Sequence, residues 1–212
     1  MRKTTTIDPN EIYKVSMYDD VESLDQAIRA GADVNADGCG GECSMLQNVS
    51  NVECARLLVK NGLDLNSRGR DNEPSGCLWG CGWGSIEIAK LLLDSGADVN
   101  FKYRFGPLLF YARTPEMVQL LIDYGANVNA RGYRRMTPLF FSKSVAIAEV
   151  LIENGANLDA KDRRRMKADE YRRLGRYADV ADFIYAKREQ KILQGKLPLA
   201  AEEHTKRSRS YI

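Results

Sequence analysis

A five-residue pattern returns five times along this chain and constrains its fold more than any other feature. Each copy begins with Gly, continues with Ala or Leu, then Asp or Asn, then Val or Leu, and ends in Asn or Asp. Self-similarity at a fixed period is typical of proteins built from stacked units, since one unit cannot bury its apolar face alone. The glycines lie 31, 34, 29 and 30 residues apart, and the copies occupy residues 31–35, 62–66, 96–100, 125–129 and 155–159.

An amphipathic helix is predicted before each of these glycines. In the segment "IEIAKLLLDS", Ile88, Leu91 and Leu92 recur at helical spacing, and the Gly that follows suits the left-handed position that ends a helix. A second helix start lies upstream, most clearly at Thr137-Pro138, where Thr can cap free N–H groups and Pro loses no helical bond. Each unit is therefore predicted to hold two helices and an extended turn, and the units to stack into an all-α solenoid.

The stretch "TPLFFSKSVAIAEVLIENGANLDAKD", residues 137–162, resembles the ankyrin repeat. That repeat opens with Thr-Pro-Leu-His and closes its second helix with Gly-Ala-Asp-Val-Asn. The resemblance covers roughly residues 9–186 and implies stacked helix-turn-helix units with β-hairpin fingers. Phe140 stands where the family has His, and several units are shorter than the usual length of about 33 residues. The short span from Thr137 to Gly155 predicts that the first helix, or its link to the second, has lost about a turn.

This register divides the chain into six units between two extensions. The first unit opens with the expected capping helix, and the tail has too little apolar content to pack by itself. In the last unit, Arg172, Arg173, Arg176 and Asp179 stand where a middle unit would face a neighbour, so it is predicted to be the closing cap, with its helix continuing to about Gln194. The predicted bounds are 1–8 for the N-terminal extension, 9–36, 37–66, 67–100, 101–129, 130–159 and 160–186 for the units, and 187–212 for a helical extension with a flexible basic tail.

Positive charge collects just after the repeated five-residue pattern. The resemblance makes these residues hairpin fingers on the concave side: finger 1 (36–42), finger 2 (67–73), finger 3 (101–107), finger 4 (130–136) and finger 5 (160–167). Finger 1 is acidic, whereas fingers 2 to 5 hold twelve basic and three acidic residues, a net of +9 in a chain whose total is +2. The basic residues are Arg68, Arg70, Lys102, Arg104, Arg131, Arg134, Arg135, Lys161, Arg163, Arg164, Arg165 and Lys167.

Signals of catalysis, cofactor binding and metal binding are weak. The one histidine lies in the polar tail, and no Gly-Lys-Ser/Thr follows the glycine-rich segments, so neither a His-based site nor a phosphate loop is predicted. The chain is accordingly predicted to be no enzyme and to need no cofactor.

The five cysteines are an odd number, which favours reduced thiols. Buried free thiols are expected, with a zinc site as the alternative for the spaced pairs Cys39, Cys43, Cys77 and Cys81.

Two tryptophans leave a choice open. Trp79 and Trp83 stand four residues apart among three glycines. They are either core residues beside a wide link between helices or binding residues on the inner face, where the resemblance places first helices.

The sequence predicts a protein-binding module that holds an acidic surface of a partner protein through its concave finger face. Arg and Tyr together are favoured at interface centres, although finger tips can also be simple solvated turns. The alternatives are a nucleic-acid binder, disfavoured by the near-neutral total charge, and a structural adaptor that uses its convex face. The predicted binding residues are Arg68, Arg70, Trp79, Trp83, Lys102, Tyr103, Arg104, Phe105, Tyr111, Arg131, Tyr133, Arg134, Arg135, Arg163, Arg164 and Arg165.

The distribution of apolar residues predicts neither a secretory signal nor a membrane-spanning helix. The N-terminus lacks the apolar centre of a secretory signal, and no run of about 18 apolar residues exists. We therefore expect a monomer in the cytoplasm, or in a host cytosol if the chain is a pathogen effector. Analogy with ankyrin-type inhibitors, immunity proteins and effectors implies that binding itself is the output.

Overall fold

A computed structural model describes residues 20–35, 49–66, 85–103 and 106–195. The all-α solenoid is confirmed within these ranges, with one small hairpin as its sheet. The α-helices are α1 (Val21–Arg29), α2 (Val52–Lys60), α3 (Ile86–Asp94), α4 (Pro115–Asp123), α5 (Val145–Glu153), α6 (Ala168–Arg173) and α7 (Ala178–Leu193), and the strands are β1 (Lys102–Tyr103) and β2 (Gly106–Pro107).

Helices α1 to α5 share the same start and the same stop. At each N-cap a polar side chain accepts a backbone N–H, as Thr114 accepts from Met117 at 3.2 Å. At each C-terminus the predicted glycine has a φ between 86° and 96°. The residue after it then donates to a carbonyl of the last turn, for example Ala97 N–H to Leu92 O at 3.0 Å. The N-cap residues are Asp20, Asn51, Ser85, Thr114 and Ser144.

One face of each of these helices forms the core. Seven residues before the glycine stands a buried Leu, Ala or Val, and four residues before it stands a buried Ala or Leu. The small residues let neighbouring helices approach closely, and each buried Leu contributes about 1.5–3 kcal/mol. The two sets are Leu24, Ala55, Ala89, Val118 and Ala148, then Ala27, Leu58, Leu92, Leu121 and Leu151.

An asparagine at the end of each five-residue pattern joins one unit to the next. Asn100 donates through Nδ2 to Gly125 O at 3.0 Å and accepts from Asn127 N–H at 2.9 Å. The same two bonds recur for Asn35, Asn66 and Asn129. The last copy carries Asp159, a carboxylate that cannot donate, and it instead pairs with Lys167 at 2.7 Å. Among the described residues, the ladder therefore ends at Asp159.

First segments are 3₁₀ turns, and not the predicted α-helices, in the two units where they are described. In units 101–129 and 130–159 a single 3₁₀ turn replaces the first helix, at Leu108–Phe110 and Pro138–Phe141. For the unit 130–159 this agrees with the expected loss of about a turn. The two turns pack together through Phe110 and Phe141, whose ring centroids lie 4.6 Å apart.

The cap predicted for Thr137 is wrong. Its side chain makes no cap hydrogen bond, and its hydroxyl is buried without a partner in the described part of the chain. The cause is the 3₁₀ turn, in which the Phe140 N–H donates to the Thr137 carbonyl oxygen at 3.0 Å. Because Phe140 replaces the family's His, its side chain also offers no polar atom to that hydroxyl.

Helices α6 and α7 form the last described unit. Arg173, Arg176 and Asp179 are exposed, but Arg172 is buried beside the Tyr177 ring, 4.5 Å from its centroid. Burial lowers the pKa of Arg172.

Among the residues described, no helix has the length and apolar character needed to cross a membrane.

Candidate functional site

Finger 3 is a short antiparallel hairpin. Lys102 pairs with Pro107 and Tyr103 with Gly106, and the Lys102 side chain is exposed. Tyr111, another predicted binding residue, is half-buried and packs against the core just after this finger. It therefore offers a partner only part of its ring.

Finger 4 closes through a tight turn made of two arginines. The N–H of Met136 donates to Tyr133 O at 3.1 Å, and the N–H of Gly132 donates to Met136 O at 3.0 Å. Arg134 and Arg135, the central residues, have φ values of 53° and 63°. A turn with positive φ at both central residues normally holds Asn-Gly, because a Cβ is disfavoured there.

Finger 5 is organised by a buried carboxylate. Asp162 is 5% exposed, and its Oδ1 accepts from the N–H of Arg164 at 2.8 Å and from that of Met166 at 2.9 Å. Its carbonyl accepts the N–H of Arg165 at 3.1 Å, and Arg165 has a φ of 64°. The only acidic residue of the finger is thus directed at backbone amides, while Arg163, Arg164 and Arg165 stay exposed.

Two contacts hold fingers 4 and 5 side by side. The N–H of Arg163 donates to Arg134 O at 2.9 Å. The guanidinium of Arg131 donates from Nη1 to Arg135 O at 3.0 Å and to Lys161 O at 3.2 Å. Arg131 was predicted to bind a partner, and in the structure it also bridges the two fingers. Its replacement would therefore disturb the scaffold as well as the charge.

The two finger tips line an open basic cleft of about 490 Å³. Each of its four arginines is exposed, and none forms an ion pair with a carboxylate in the described ranges. Tyr133 is 50% exposed, and the Arg134 guanidinium lies 5.0 Å from the centroid of its ring. The cleft can therefore offer unpaired guanidinium groups and an aromatic surface. Its lining is Gly132, Tyr133, Arg134, Arg135, Arg163 and Arg164.

Other predicted residues lie outside the described part of the chain. This holds for Arg68, Arg70, Trp79, Trp83, Arg104 and Phe105, and also for four of the five cysteines, Cys39, Cys43, Cys77 and Cys81.

Cys54 is fully buried and forms no disulfide, as predicted. Within residues 20–35, 49–66, 85–103 and 106–195, no group of His, Cys, Asp and Glu side chains could hold a metal ion.

Sequence reasoning missed two residues that shape the cleft or the fingers beside it. Gly132 lines it and closes the finger 4 turn, and Asp162 shapes finger 5, although it was counted only as one negative charge. The segment Asp-Arg-Arg-Arg carried the signal for Asp162, since an Asp side chain often bonds the backbone two residues ahead.

Comparison with known proteins points to one family. Residues 81–162 match the model of ankyrin repeats in three copies. The chain is 34% identical over 94 residues, and 40% identical over 63, to two proteins of Acanthamoeba polyphaga mimivirus that carry the name of ankyrin repeat proteins. These matches cover 42% and 23% of this chain, but only 12% and 10% of the viral proteins.

Solved structures share the fold at low identity. The ankyrin repeat domain of Bcl-3, a member of the IkappaB family, has a TM-score of 0.65, with 22% identity and 82% and 81% of the two chains covered. An ankyrin repeat domain from Acinetobacter baumannii has a TM-score of 0.69, 22% identity and coverage of 84% and 98%. A third similar structure is a chain in the complex of a predatory endopeptidase from Bdellovibrio bacteriovorus with an immunity protein. Its TM-score is 0.73 and its identity 17%, with 84% of this chain and 97% of that chain covered.

The ankyrin repeat is a fold of protein–protein interaction, and proteins built from it are generally non-catalytic. The matching family model, the viral relatives and the shared solenoid agree with the ladder of asparagines and glycine-ended helices: residues 81–162 match ankyrin repeats, and the described part of the chain has the ankyrin repeat fold.

Proposed function

We propose that this protein binds an acidic surface of a partner protein through the cleft between fingers 4 and 5. Binding is its output, as inhibitor, adaptor or effector, and the chain acts as a monomer. One observation carries the proposal: four exposed arginines converge from two neighbouring turns and have no carboxylate partner in the described part of the chain.

The backbone of these turns supports a role in binding. Arg134, Arg135 and Arg165 occupy the left-handed region, where Gly or Asn would be preferred. Side chains held in such conformations cluster at functional sites, where the cost of order 1–3 kcal/mol per residue is offset elsewhere. If the turn served only to connect two units, Gly or Asn at these positions would make the protein more stable.

Electrostatics decides what kind of surface fits. Guanidinium groups bind carboxylates through two parallel hydrogen bonds, and a basic patch accelerates the encounter with an acidic partner. Exposed charges contribute little to the stability of the folded protein. These arginines are therefore expected to contribute to the free energy of binding and not to that of folding.

The test compares two variants that each lose two positive charges. Arg134→Ala with Arg135→Ala removes charge from the cleft, and Lys60→Ala with Lys90→Ala removes it from exposed positions of α2 and α3. Binding of fluorescent poly-L-glutamate is measured by anisotropy, and native partners are captured from cell extract with each protein. We expect the cleft variant to bind poly-L-glutamate about tenfold more weakly, a loss of about 1.4 kcal/mol.

The control variant should keep both the affinity and the captured proteins. Alanine retains a Cβ at both left-handed positions, so the melting temperature of the cleft variant should stay near that of the wild type. Equal losses in the two variants would mean that total charge, and not this cleft, attracts the ligand. Tighter binding to double-stranded DNA than to poly-L-glutamate would contradict a protein partner.

A further inference from the structure

We propose that the cleft between fingers 4 and 5 receives a phosphorylated side chain, phosphoserine or phosphothreonine, from an extended segment of the partner. This inference rests on the proposed function, because it names the group that the acidic partner places between the fingers. Nothing in the sequence pattern or the comparisons assigns such a site.

The number of guanidinium groups favours a phosphate monoester over a carboxylate. Arg134 and Arg135 stand on one side of the cleft, and Arg163 and Arg164 on the other. A carboxylate carries one charge and two oxygens, which a single arginine satisfies. A phosphorylated side chain carries a charge of about −1.5 to −2 and three acceptor oxygens, so it can engage both sides at once.

The size of the cleft favours one side chain over a broad surface. Its volume of about 490 Å³ lies within the range of small-ligand sites, roughly 300–1,000 Å³. Among the described residues, two finger tips line it, and this short span of the solenoid suits one side chain better than the face of a helix. The half-exposed Tyr133 ring can contact the peptide beside the charged group, while Arg134 already lies over that ring.

The two sides of the cleft are held at a fixed spacing before any ligand arrives. The Arg163 N–H bond to Arg134 O joins the two fingers through backbone atoms, and the Arg131 guanidinium adds a bond to the backbone carbonyl of Lys161. A site whose walls are already placed pays less ordering cost on binding. Nucleic acid fits less well, because each phosphodiester carries a single charge and the phosphates continue along a track.

The experiment uses the full chain and labelled nine-residue peptides of one sequence, Gly-Gly-Ser-Ala-X-Ala-Ser-Gly-Gly. Position X is phosphoserine, serine or glutamate, and a fourth peptide carries three consecutive glutamates. Affinities are measured by fluorescence anisotropy at two salt concentrations, with inorganic phosphate and a nine-nucleotide oligothymidylate as competitors. We expect the phosphoserine peptide to bind about tenfold more tightly than either glutamate peptide.

Variants separate fixed geometry from bulk charge. Arg134→Ala with Arg163→Ala, one from each side, should weaken phosphopeptide binding about tenfold or more, and Lys60→Ala with Lys90→Ala should leave it unchanged. Arg163→Lys with Arg164→Lys keeps the charge but loses the planar donor pair, so a loss of several-fold is expected. Unchanged melting temperatures show that each variant is folded.

Each other outcome overturns the inference in a distinguishable way. Equal binding of the triglutamate and phosphoserine peptides would reject the phosphorylated group and leave the acidic partner standing. Undetectable binding of the phosphoserine peptide would also reject the phosphorylated group. The affinity for poly-L-glutamate, measured separately, then shows whether the proposed function still holds. Stronger competition by oligothymidylate than by inorganic phosphate, at equal phosphate concentration, would reject both in favour of nucleic acid.

Discussion

Arg134 and Arg135 place two long cationic side chains where the backbone would accept Asn-Gly at lower cost. A left-handed conformation costs a residue with a Cβ roughly 1–2 kcal/mol, and Gly escapes most of that cost. The turn nevertheless forms, because hydrogen bonds from Met136 to Tyr133 and from Gly132 to Met136 close it, and finger 5 bonds to Arg134 O. The finger 4 tip thus stores strain beside the candidate site.

Replacing this pair by Asn-Gly should raise stability and remove binding together. We expect Arg134→Asn with Arg135→Gly to increase the free energy of unfolding by about 1 kcal/mol, measured by urea denaturation, since both residues then suit the turn. Poly-L-glutamate binding should fall as in the double alanine variant.

The same pair of alanines is the matched comparison, because it removes the charges without relieving the backbone. If Asn-Gly proves no more stable than Ala-Ala, the left-handed conformation carries no strain, and that support for a binding role is lost.

At the scale of elements, the asparagine ladder is what converts similar units into one stack. Each asparagine uses both ends of its amide, donating to a glycine carbonyl and accepting an N–H of the next unit. A side chain of the same shape that lacks the donor cannot do both. The ladder stops at Asp159 for this reason, and Lys167 takes over the carboxylate.

Asn100→Asp should therefore destabilise the fold, because a carboxylate oxygen would face the carbonyl of Gly125 in place of an N–H donor. We expect the free energy of unfolding to fall by about 1–3 kcal/mol, measured by urea denaturation at neutral pH.

The opposite exchange, Asp159→Asn, is the control and should change the free energy of unfolding by less than about 1 kcal/mol, because it loses only a partly exposed ion pair. Equal effects of the two exchanges would show that the ladder adds no more than any surface contact. Partial protonation of the new carboxylate should restore some stability to Asn100→Asp as the pH falls toward 4.

At the scale of the whole molecule, the last described unit is held by a buried ion pair between α6 and α7. Arg188 Nη1 lies 2.9 Å from both carboxylate oxygens of Asp169, and the two side chains are 10% and 5% exposed. A second pair, Arg173 with Asp182, joins the same helices at 2.8 Å but is 59% and 71% exposed. The two ion pairs differ mainly in burial. The exposed pair is therefore a matched control for the buried one.

Removing one partner of the buried pair should be costly. We expect Arg188→Met to lower the free energy of unfolding by about 3–5 kcal/mol, because Asp169 would be left buried without a counter-charge. Thermal and urea unfolding, followed by circular dichroism, measure the change.

Arg173→Ala should cost at most about 1 kcal/mol, since water screens the exposed pair. Arg188→Met combined with Asp169→Leu should recover most of the loss, as an apolar pair needs no counter-charge. A double variant as unstable as Arg188→Met would mean that the arginine stem, and not the charge, holds α6 against α7.

The solenoid could be predicted from the order of residues, because its signals are local. Apolar spacing fixed one buried face on each helix from α1 to α5, and a glycine in the left-handed region fixed where each one ended. The basic character of the fingers was likewise visible in the order of residues. The cap by Thr137 could not be predicted correctly, since a 3₁₀ turn in place of an α-helix used the N–H it needed.

Contacts between units show which charges meet and which are satisfied within the described part of the chain. Arg131 is some 30 residues from Lys161, yet their fingers touch, and only their contact shows that Arg131 bridges while Arg163 and Arg164 line a cleft. Arg172 and Arg173 are adjacent in sequence, but one is buried against Tyr177 and the other is exposed. Side-chain pairing depends on distances between units, and a residue pattern records no such distance.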